Sequence, residues 1–368
     1  MNKNNTKDPL TLILYSLIIS LLILLKSFNV VGYAPEYEQC NDTGTVSDLS
    51  IFEREQVPEI TIEFNFEWVM NCKTDDEFPA TLIYHSPDGS EDLFHIKIRA
   101  RGNTRRNQGV CSFPPLKINL RKSEVENTIF HGQNKLKLVT HCRNNNVFEG
   151  YALQEYYVYR TYNLLTDTSL RVQLANITYI DTSGKDKSVT RYGFFIENKK
   201  ELAQRLDGEI LPRKVITQET CNQASMSRFN MFQFMIGNTD WWVTTQHNVV
   251  LFKNESTSFP VPIPYDFDYA GIINTSYSIP HESLPISNVR QRYYKGTCLS
   301  RASYEETVQY FQNKKNEIFE LYENSDHLSN KQKKSALNYY GSFYEILDDA
   351  EAMQKYIQLD HSHEQLEL

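Results

Sequence analysis

Beyond residue 58 the chain alternates apolar and polar positions with a period of two, the pattern of half-buried β-strands. The stretch "EITIEFNFEWVM" begins this pattern, and "ATLIYHS" and "LFHIKIRA" continue it on either side of "PDGSED". The Asp-Gly pair in that connection favours a tight hairpin turn. Two further strands are predicted in "PPLKINL" and "NKLKLVTHC". Residues 59–142 are therefore predicted to be a β-rich region of antiparallel hairpins.

After this region the spacing of apolar residues lengthens to three and four positions, which indicates helices. The stretch "VFEGYALQEYYVYRTYNLL" predicts one helix, and "LRVQLANITYID" and "TRYGFFIEN" predict a hairpin with Gly184 in its turn. More helices are expected in "KKELAQRL", in "ASMSRFNMFQFMIG" up to Gly237, and over 303–324 and 329–358. Two short strands are expected in "NVVLFKN" and "FPVPIPYDF".

This order of elements predicts an α+β fold with two lobes. A β-rich N-lobe with one helix is expected over 59–198, and a mainly helical C-lobe over 199–368. Residues 35–58 are expected to be a lead-in segment. A cleft between two lobes is a common place for a ligand site.

The N-terminus has the pattern of an export signal. Residues 10–25 are mostly apolar, follow Lys3 and Lys7, and are shorter than the roughly 20 residues that a membrane-spanning helix needs. Small residues near Ala34 offer a cleavage site. Residues 1–34 are therefore expected to be either a signal peptide or a membrane anchor held through residues 10–25. In either case the rest is expected to be exported, as a secreted, periplasmic or membrane-anchored protein outside the cytoplasm.

The cysteines agree with export. All six follow residue 34, and none forms a closely spaced pair of the kind that binds zinc or carries redox chemistry. An even, dispersed set in an exported chain favours structural disulfides. Several pairings are open, and we expect neighbours to pair: Cys40–Cys72, Cys111–Cys142 and Cys221–Cys298.

Charge narrows the class of partner. The net charge is -8 and no dense basic run occurs, so we expect no nucleic-acid partner. Hydrophobic residues make up 40% of the chain and aromatic residues 12%, enough for a sizeable core.

Two groups of basic residues are candidates for binding an anion. The stretch "RARGNTRR", residues 99–106, places arginines beside a glycine, and arginine forks bind phosphate or carboxylate. The alternative is a solvated hairpin tip. Lys117, Lys135 and Lys137 lie on the next two predicted strands, where a lysine facing a cleft can hold a phosphate. The alternative for each is an outward-facing surface residue.

A third candidate is the loop "GNTDWWVTTQHN" between a helix and a strand. Asp240 is suited to act as a base or metal ligand, and Asn248 offers a neutral oxygen ligand. Trp241 and Trp242 would shield the loop. His247 is more simply explained as a structural residue.

A fourth candidate is "PIPYDFDYAG". Asp266 and Asp268 are two residues apart, so on an extended segment they point to opposite faces unless the chain turns. Gly271 permits such a turn. Magnesium prefers one or two carboxylates together with phosphate oxygens.

The last two candidates follow each other as in protein kinases: a loop with Asp and Asn, a hairpin, then a metal-binding Asp. The usual kinase motifs HRD, DFG, VAIK and GxGxxG are absent. However, "RGNTRR", "PPLKINL", "YGFFIEN", "GNTDWWVTTQHNVVLF" and "PYDFDYAG" together resemble the spore coat protein H (CotH) kinase family, over about half the chain. The resemblance implies an exported, atypical protein-kinase-like two-lobe fold. It also implies transfer of the ATP γ-phosphoryl group, with Mg²⁺ or Mn²⁺, to hydroxyls of a protein or glycan acceptor at the cell surface.

The resemblance also implies roles for the acidic loop residues. Asp240 matches the catalytic-loop Asp of the family and would orient the acceptor. Asn248 and Asp266 match the metal-binding positions, and Asp268 follows Asp266 as a further ligand.

The resemblance assigns the remaining cofactor contacts to the β-rich region and the helix after it. Lys117 matches the catalytic strand lysine near the phosphates, with Arg101 beside it. Glu155 is a candidate partner for that lysine, and Glu197 lies where an adenine ring would bind. Phe113-Pro114-Pro115 stands where family members often have two basic residues, so the lysine assignment departs from the family pattern.

Two other functions remain open from the sequence. One is a catalytically inactive surface or envelope protein that keeps the kinase fold for binding. The other is a carbohydrate-binding or hydrolytic module in which Trp241 and Trp242 stack on sugars beside the acids.

Overall fold

Seven strands between residues 59 and 196 of the computed structural model close into a barrel, in which each strand pairs with its neighbour along the chain except at the last two strands, whose order is reversed. The structure describes residues 50–212, 215–297, 299–357 and 359–360, and these belong to one compact unit, Val46–Leu368. The expected signal or anchor segment and most of the lead-in lie outside the described residues. Within the described ranges, no helix is long and apolar enough to cross a membrane.

Most of the helices and strands follow the predicted order, but the helix Phe66–Asn71 and the short strands Gly208–Ile210, Leu299–Ser300 and Leu359–Asp360 were not predicted. The strands are β1 Glu59–Phe64, β2 Phe78–His85, β3 Glu91–Ala100, β4 Leu116–Asn119, β5 Lys135–Val139, β6 Val172–Asp181, β7 Val189–Ile196, β8 Gly208–Ile210, β9 Val249–Asn254, β10 Val261–Pro264, β11 Leu299–Ser300 and β12 Leu359–Asp360. The helices are α1 Phe66–Asn71, α2 Asn146–Leu165, α3 Lys199–Arg205, α4 Gln223–Ile236, α5 Arg301–Glu323, α6 Asn330–Asp348 and α7 Ala350–Gln354. Outside the barrel, β8, β9 and β10 form a three-stranded sheet and β11 pairs with β12.

The closure of the barrel was not predicted. Neighbouring strands are antiparallel, as expected, except that β1 pairs with β6 in parallel. These two strands are more than a hundred residues apart, and the period-two pattern identifies a strand without naming its partner. Only the curvature and twist of the whole sheet bring its first strand beside β6.

Two predicted elements differ from the structure at residues that cap helices. The strand expected through residue 70 ends at Phe64, because Asn65 Oδ1 accepts a hydrogen bond from Trp68 N and starts α1. The helix expected over 329–358 is broken, because Asp349 adopts an extended conformation and caps α7. Both interruptions come from Asn or Asp, whose short side chains compete with regular backbone bonding.

The interior contains two large hydrophobic clusters. One fills the barrel, and the other lies among α2, α4, α5 and α6. Strand β7 contributes to both, because Phe195 faces the barrel interior while Phe194 faces the helices. Alternation along one strand therefore joins the barrel to the helical region.

One of the three expected disulfides is present. Cys111 and Cys142 are bonded, which ties the end of the arginine-rich loop to the segment before α2. Within the described residues, Cys72 and Cys221 carry free thiols. Cys40 and Cys298 themselves lie outside the described residues. Burial raises the pKa of the Cys221 thiol to about 11, which keeps it protonated and unreactive.

His141, next to that disulfide, is fully buried against aromatic rings. Its ring stacks on Phe113 at 4.6 Å between centroids and lies 5.6 Å from Tyr179. Neither ring nitrogen has a hydrogen-bond partner among the described residues. Burial, with the positive charge of Arg191, lowers the pKa of His141 from 6.5 to about 3. The folded protein therefore holds a neutral imidazole that the unfolded chain would protonate below pH 6.5.

We expect His141 to make the protein less stable in acid. Between pH 6.5 and 3 the unfolded chain binds a proton that the folded chain does not, so stability falls as the pH falls. The loss between pH 7 and pH 5 is about 2 kcal/mol from this residue. His141→Leu removes a group without partners and should flatten this dependence. Urea unfolding of both proteins at pH 7 and pH 5 measures the difference, and an equal pH dependence in the two would contradict the assignment.

Candidate functional site

The arginine-rich loop leaves β3 at the barrel rim and is held at both ends. Arg101 N donates to Pro115 O at its start, and the disulfide of Cys111 holds its end. Gly102 has φ of +98°, a conformation that favours glycine, and so turns the chain sharply. A short 3₁₀ helix, Thr104–Arg106, follows. The loop is therefore a fixed structure rather than a solvated hairpin tip.

Arg105 is the centre of the site. Its guanidinium is 8% exposed and contacts three carboxylates: Nη1 to Glu155 Oε2 at 3.0 Å, Nη2 to Asp266 Oδ1 at 2.6 Å, and Nε to Asp268 Oδ2 at 3.2 Å. Glu155 lies on α2, and the two aspartates follow β10. One side chain thus links the barrel rim, the central helix and the acidic segment. The five donors of a planar guanidinium allow this, whereas a lysine offers a point charge.

A turn at Asp266 brings both aspartates to the same cation. Asp266 has φ of +65°, in the left-handed region, and its backbone N donates to Tyr159 Oη at 2.8 Å. Because the chain reverses its direction there, the expected opposition of Asp266 and Asp268 does not occur. Gly271, which we expected to permit the turn, has no positive φ, and a Cβ on it would lie 2.2 Å from Val289 O. That glycine serves close packing.

The three carboxyl groups differ in charge state. Burial raises the pKa of Asp268 to about 8, against the attraction of Arg105. Burial also raises the pKa of Glu155, whose Oε1 has no hydrogen-bond partner in the described part of the chain. At Asp266 burial is outweighed by Arg105, Arg101 and Lys137, which lower the pKa. Asp266 is therefore the ionised carboxylate of the group, and its side chain is 36% exposed.

The loop carrying Asp240 forms a second acidic unit beside the first. Asp240 accepts hydrogen bonds from His247 Nε2 at 2.9 Å and from Asn248 Nδ2 at 3.0 Å. Asn248 has φ of +53°, and its carbonyl oxygen accepts from Tyr265 N at 3.1 Å. The residue after Tyr265 is Asp266, so the backbone holds the three predicted residues Asp240, Asn248 and Asp266 in one place. Left-handed conformations at two of them are typical of functional sites.

These residues fit a divalent cation shared with a phosphate group. Asn248 Oδ1 and Asp266 Oδ2 have no hydrogen-bond donor among the described residues, so both oxygens are free to act as ligands. Across the same ranges, no group of three or more His, Cys, Asp or Glu side chains would hold a metal ion alone. Two protein oxygens completed by phosphate oxygens is an arrangement that magnesium accepts. Asp268 contributes less, because Arg105 and Tyr277 Oη occupy its Oδ2.

Among the basic residues, the structure favours Lys137 over Lys117 as the group near Asp266. The two lysines face each other across β4 and β5, outside the barrel core. Burial, with Arg101 and Lys199 nearby, lowers the pKa of Lys137 to about 7, and Asp266 attracts it. Lys117 is influenced instead by Arg99, Lys135 and acids of the rim.

Arg101 has no salt-bridge or side-chain hydrogen-bond partner within the described residues, and its Nε is buried and unpaired. Burial lowers the pKa of its guanidinium, while the charge of Asp266 raises it. Lys137 likewise has no carboxylate within salt-bridge distance in that part of the chain and lies over the Tyr265 ring at 5.2 Å. Two cations beside Asp266 are therefore without an anionic partner.

Glu155 and Glu197, the two other residues predicted to contact the lysine or the cofactor, have different partners in the structure. Glu155 pairs with Arg105 and not with Lys117. Glu197 is fully buried and accepts four hydrogen bonds, two each from Arg171 and Arg205. These arginines occupy its carboxylate, so it fixes the start of α3 rather than facing a ligand.

The two tryptophans have different environments. Trp241 is 2% exposed, packs on Phe229 and donates from Nε1 to Asn238 O. Only Trp242 is partly exposed, between His247 and His281. Trp241 thus supports the loop from within, and a sugar-stacking platform of both rings is not present.

Sequence reasoning missed the importance of Arg105 and Lys137. Both were inside named basic groups, but one-dimensional spacing does not say which arginine of a loop turns inward. For Lys137 the only signal was its place opposite Lys117 on the next strand. The spacing of basic residues along the sequence gives neither their contact distances nor their burial.

Removing Arg105 should destabilise the protein strongly. Arg105→Ala removes the guanidinium from the ionised Asp266 and from the buried acids Glu155 and Asp268, and breaking a buried ion pair in this way costs about 3–5 kcal/mol. Chemical denaturation at pH 7 measures the loss. The matched control is Arg106→Ala in the same short helix. Its guanidinium pairs with the exposed Asp75 and makes a long hydrogen bond of 3.4 Å to Cys72 O, so the change should cost less than about 1 kcal/mol. Similar losses in the two variants would contradict a special role for Arg105.

Comparisons with known proteins give a loose structural likeness. No protein-family model matches the chain, and no curated protein matches it. Among solved structures, it is similar to the crystal structure of a Helicobacter pylori proinflammatory kinase, CtkA. The match has 12% identity and a TM-score of 0.39, and covers 65% of this chain and 91% of that chain. A match of this kind concerns the fold and bears on neither substrate nor reaction.

Proposed function

We propose that this protein is a phosphotransferase that moves the γ-phosphoryl group of ATP to a hydroxyl of a protein or glycan acceptor. One observation carries the proposal: Asp240, Asn248 and Asp266 are held together by the backbone, beside two cations, Arg101 and Lys137, that have no anionic partner in the described part of the chain. Acids that bind a metal and free cations that bind phosphates are the two requirements of phosphoryl transfer.

Each residue has a defined part in this reaction. Arg101 and Lys137 would bind phosphate oxygens as a fork and a point charge. Asp240, fixed by His247 and Asn248, would accept the proton of the acceptor hydroxyl. The acceptor oxygen forms a bond to the γ-phosphorus, the bond from that phosphorus to the bridging oxygen breaks, and ADP leaves with the electron pair.

A divalent cation, Mg²⁺ or Mn²⁺, would supply neutralisation of the phosphate charge when bound. Asn248 Oδ1 and Asp266 Oδ2 are the oxygen atoms that would hold this cation. Asp268 would remain with Arg105 and keep the turn in shape. Glu155 would orient Arg105 from the opposite side.

The proposal extends to fold and location. The barrel would be the N-lobe of an atypical kinase-like arrangement and the helical region its C-lobe, in keeping with the resemblance to the spore coat protein H kinase family. The Cys111–Cys142 disulfide supports an exported protein, since such bonds persist in oxidising compartments. The acceptor would then be a protein or glycan at the cell surface.

ATP and Mn²⁺ together should raise the midpoint of thermal unfolding of the exported part. A ligand that binds only the folded state stabilises it by about 2.7 kcal/mol at a hundred times its Kd. Asp266→Asn should abolish the part of the shift that needs both ligands, because it removes the metal-binding charge. Asp240→Asn should keep the shift but lose phosphoryl transfer.

Thermal scans with ATP, Mn²⁺, both or neither separate these cases. No shift at millimolar ligand would overturn the proposal. A shift in wild type without transfer to any surface protein or glycan would instead identify a nucleotide-binding protein without catalysis.

Lys137 should matter more than Lys117 for nucleotide binding. Lys137→Met removes a cation beside Asp266 and should weaken ATP affinity roughly tenfold, or about 1.4 kcal/mol. Lys117→Met is the matched control on the neighbouring strand and should change affinity less than about twofold. Calorimetric titration with ATP and Mn²⁺ measures both. A larger loss in Lys117→Met would restore the assignment made from sequence.

A further inference from the structure

The stretch between β10 and β11 returns to the acidic site at a second point. After Asp268 it passes through loops and reaches Lys295, close to the loop that carries Asp240. Lys295 Nζ donates to Thr239 O at 2.8 Å and to Trp241 O at 2.6 Å. These carbonyl groups belong to the residues on either side of Asp240, so one ammonium group holds the backbone around the candidate base.

Aromatic rings enclose the same ammonium group. It lies 3.7 Å from the centroid of the Trp242 ring and 4.8 Å from that of Trp241. A cation over an indole face is attracted by the ring quadrupole, more strongly when water is excluded. Hydrogen bonds from a charged donor are about twice as strong as those from a neutral donor. Both contacts therefore depend on the charge of Lys295.

Hydrogen bonds to other parts of the fold hold the segment that carries Lys295. Three residues before Lys295, Arg292 donates to Met235 O on α4 and Tyr339 O on α6. Gln218 Nε2 donates to Lys295 O at 3.1 Å. The position of Lys295 is thus set by helices of the core, and the Asp240 loop is held against it.

We propose that Lys295 is a positioning residue for Asp240, whose charged ammonium group holds the loop of residues 239–242 in the geometry required for phosphoryl transfer. This role rests on the proposed function. It adds a residue that lies outside every motif recognised in the sequence and that contacts the backbone on both sides of Asp240.

The charge of Lys295 is open to titration. Burial lowers its pKa to about 8, against the attraction of Asp240. Among the described residues, His247 and His281 also face this cluster and pack on Trp242 at 5.4 and 5.6 Å between ring centroids. Above pH 8 Lys295 loses its proton, so the charge-assisted contacts weaken as pH rises through this value.

The first test is tryptophan fluorescence between pH 6 and pH 10. A Trp68→Phe background removes the third, exposed tryptophan, so that the signal comes from Trp241 and Trp242. We expect a transition near pH 8 that disappears in Lys295→Met and in Lys295→Arg, because arginine keeps its charge throughout. Lys315→Met is the matched control, since Lys315 lies over the Tyr344 ring elsewhere, and should keep the transition. A transition that persists in Lys295→Met, or is absent from the parent, overturns the proposal.

The second test is ADP release with water as acceptor. Lys295→Met should lower kcat at least tenfold with KM for ATP within twofold, while its thermal shift with ATP and Mn²⁺ stays as in wild type. In the wild type, kcat should fall as the pH rises above 8, because Lys295 then loses its proton. Lys295→Arg should have the wild-type kcat at neutral pH and should not show this fall. Unchanged kcat in Lys295→Met overturns the positioning role.

Failure of the proposed function has a different signature. In that case ATP and Mn²⁺ together would not raise the midpoint of thermal unfolding, either in the wild type or in the variants. The fluorescence result then decides by itself whether Lys295 holds the loop through its charge, since that measurement needs no nucleotide.

Discussion

The buried guanidinium of Arg105 is the interaction on which the site depends. It joins the barrel rim to α2 and to the acidic segment after β10, through Glu155, Asp266 and Asp268. Three carboxyl groups this close cannot all be ionised without a cation among them. The guanidinium therefore decides both the position of the acids and which of them carries charge, and the disulfide at Cys111 keeps its loop in place.

The charges around this centre are unevenly matched. Asp268 and Glu155 are two buried acids that share one guanidinium, that of Arg105, and burial raises the pKa of both. On the side of Asp266, Arg101 and Lys137 are without an anionic partner in the described ranges, and burial lowers their pKa values. Burying unpaired cations is costly unless a ligand compensates. This imbalance favours an anionic ligand with several oxygens, as a nucleotide phosphate chain has.

Backbone conformation adds the second constraint. Asn248 and Asp266 both occupy the left-handed region, and a hydrogen bond from Tyr265 N to Asn248 O joins their segments. Asn and Asp adopt this region at lower cost than most residues. The same two residues present the oxygens that have no donor within the described part of the chain. Asn248 and Asp266, which the sequence had singled out, thus combine a left-handed backbone with side-chain oxygens that can bind a metal.

The sequence by itself determined the strands of the barrel and most helices, and it singled out Asp240, Asn248 and Asp266, because periodicity, capping residues and motif order are local properties. Tertiary structure decided the parallel closure of β1 on β6, which of the basic residues lie near Asp266, and the contacts of Lys295 with the backbone around Asp240. Each of these depends on contacts between segments far apart in the chain. The spacing of residues along the chain determines on which face of a helix or strand a side chain lies. Only tertiary packing determines which residues that face contacts.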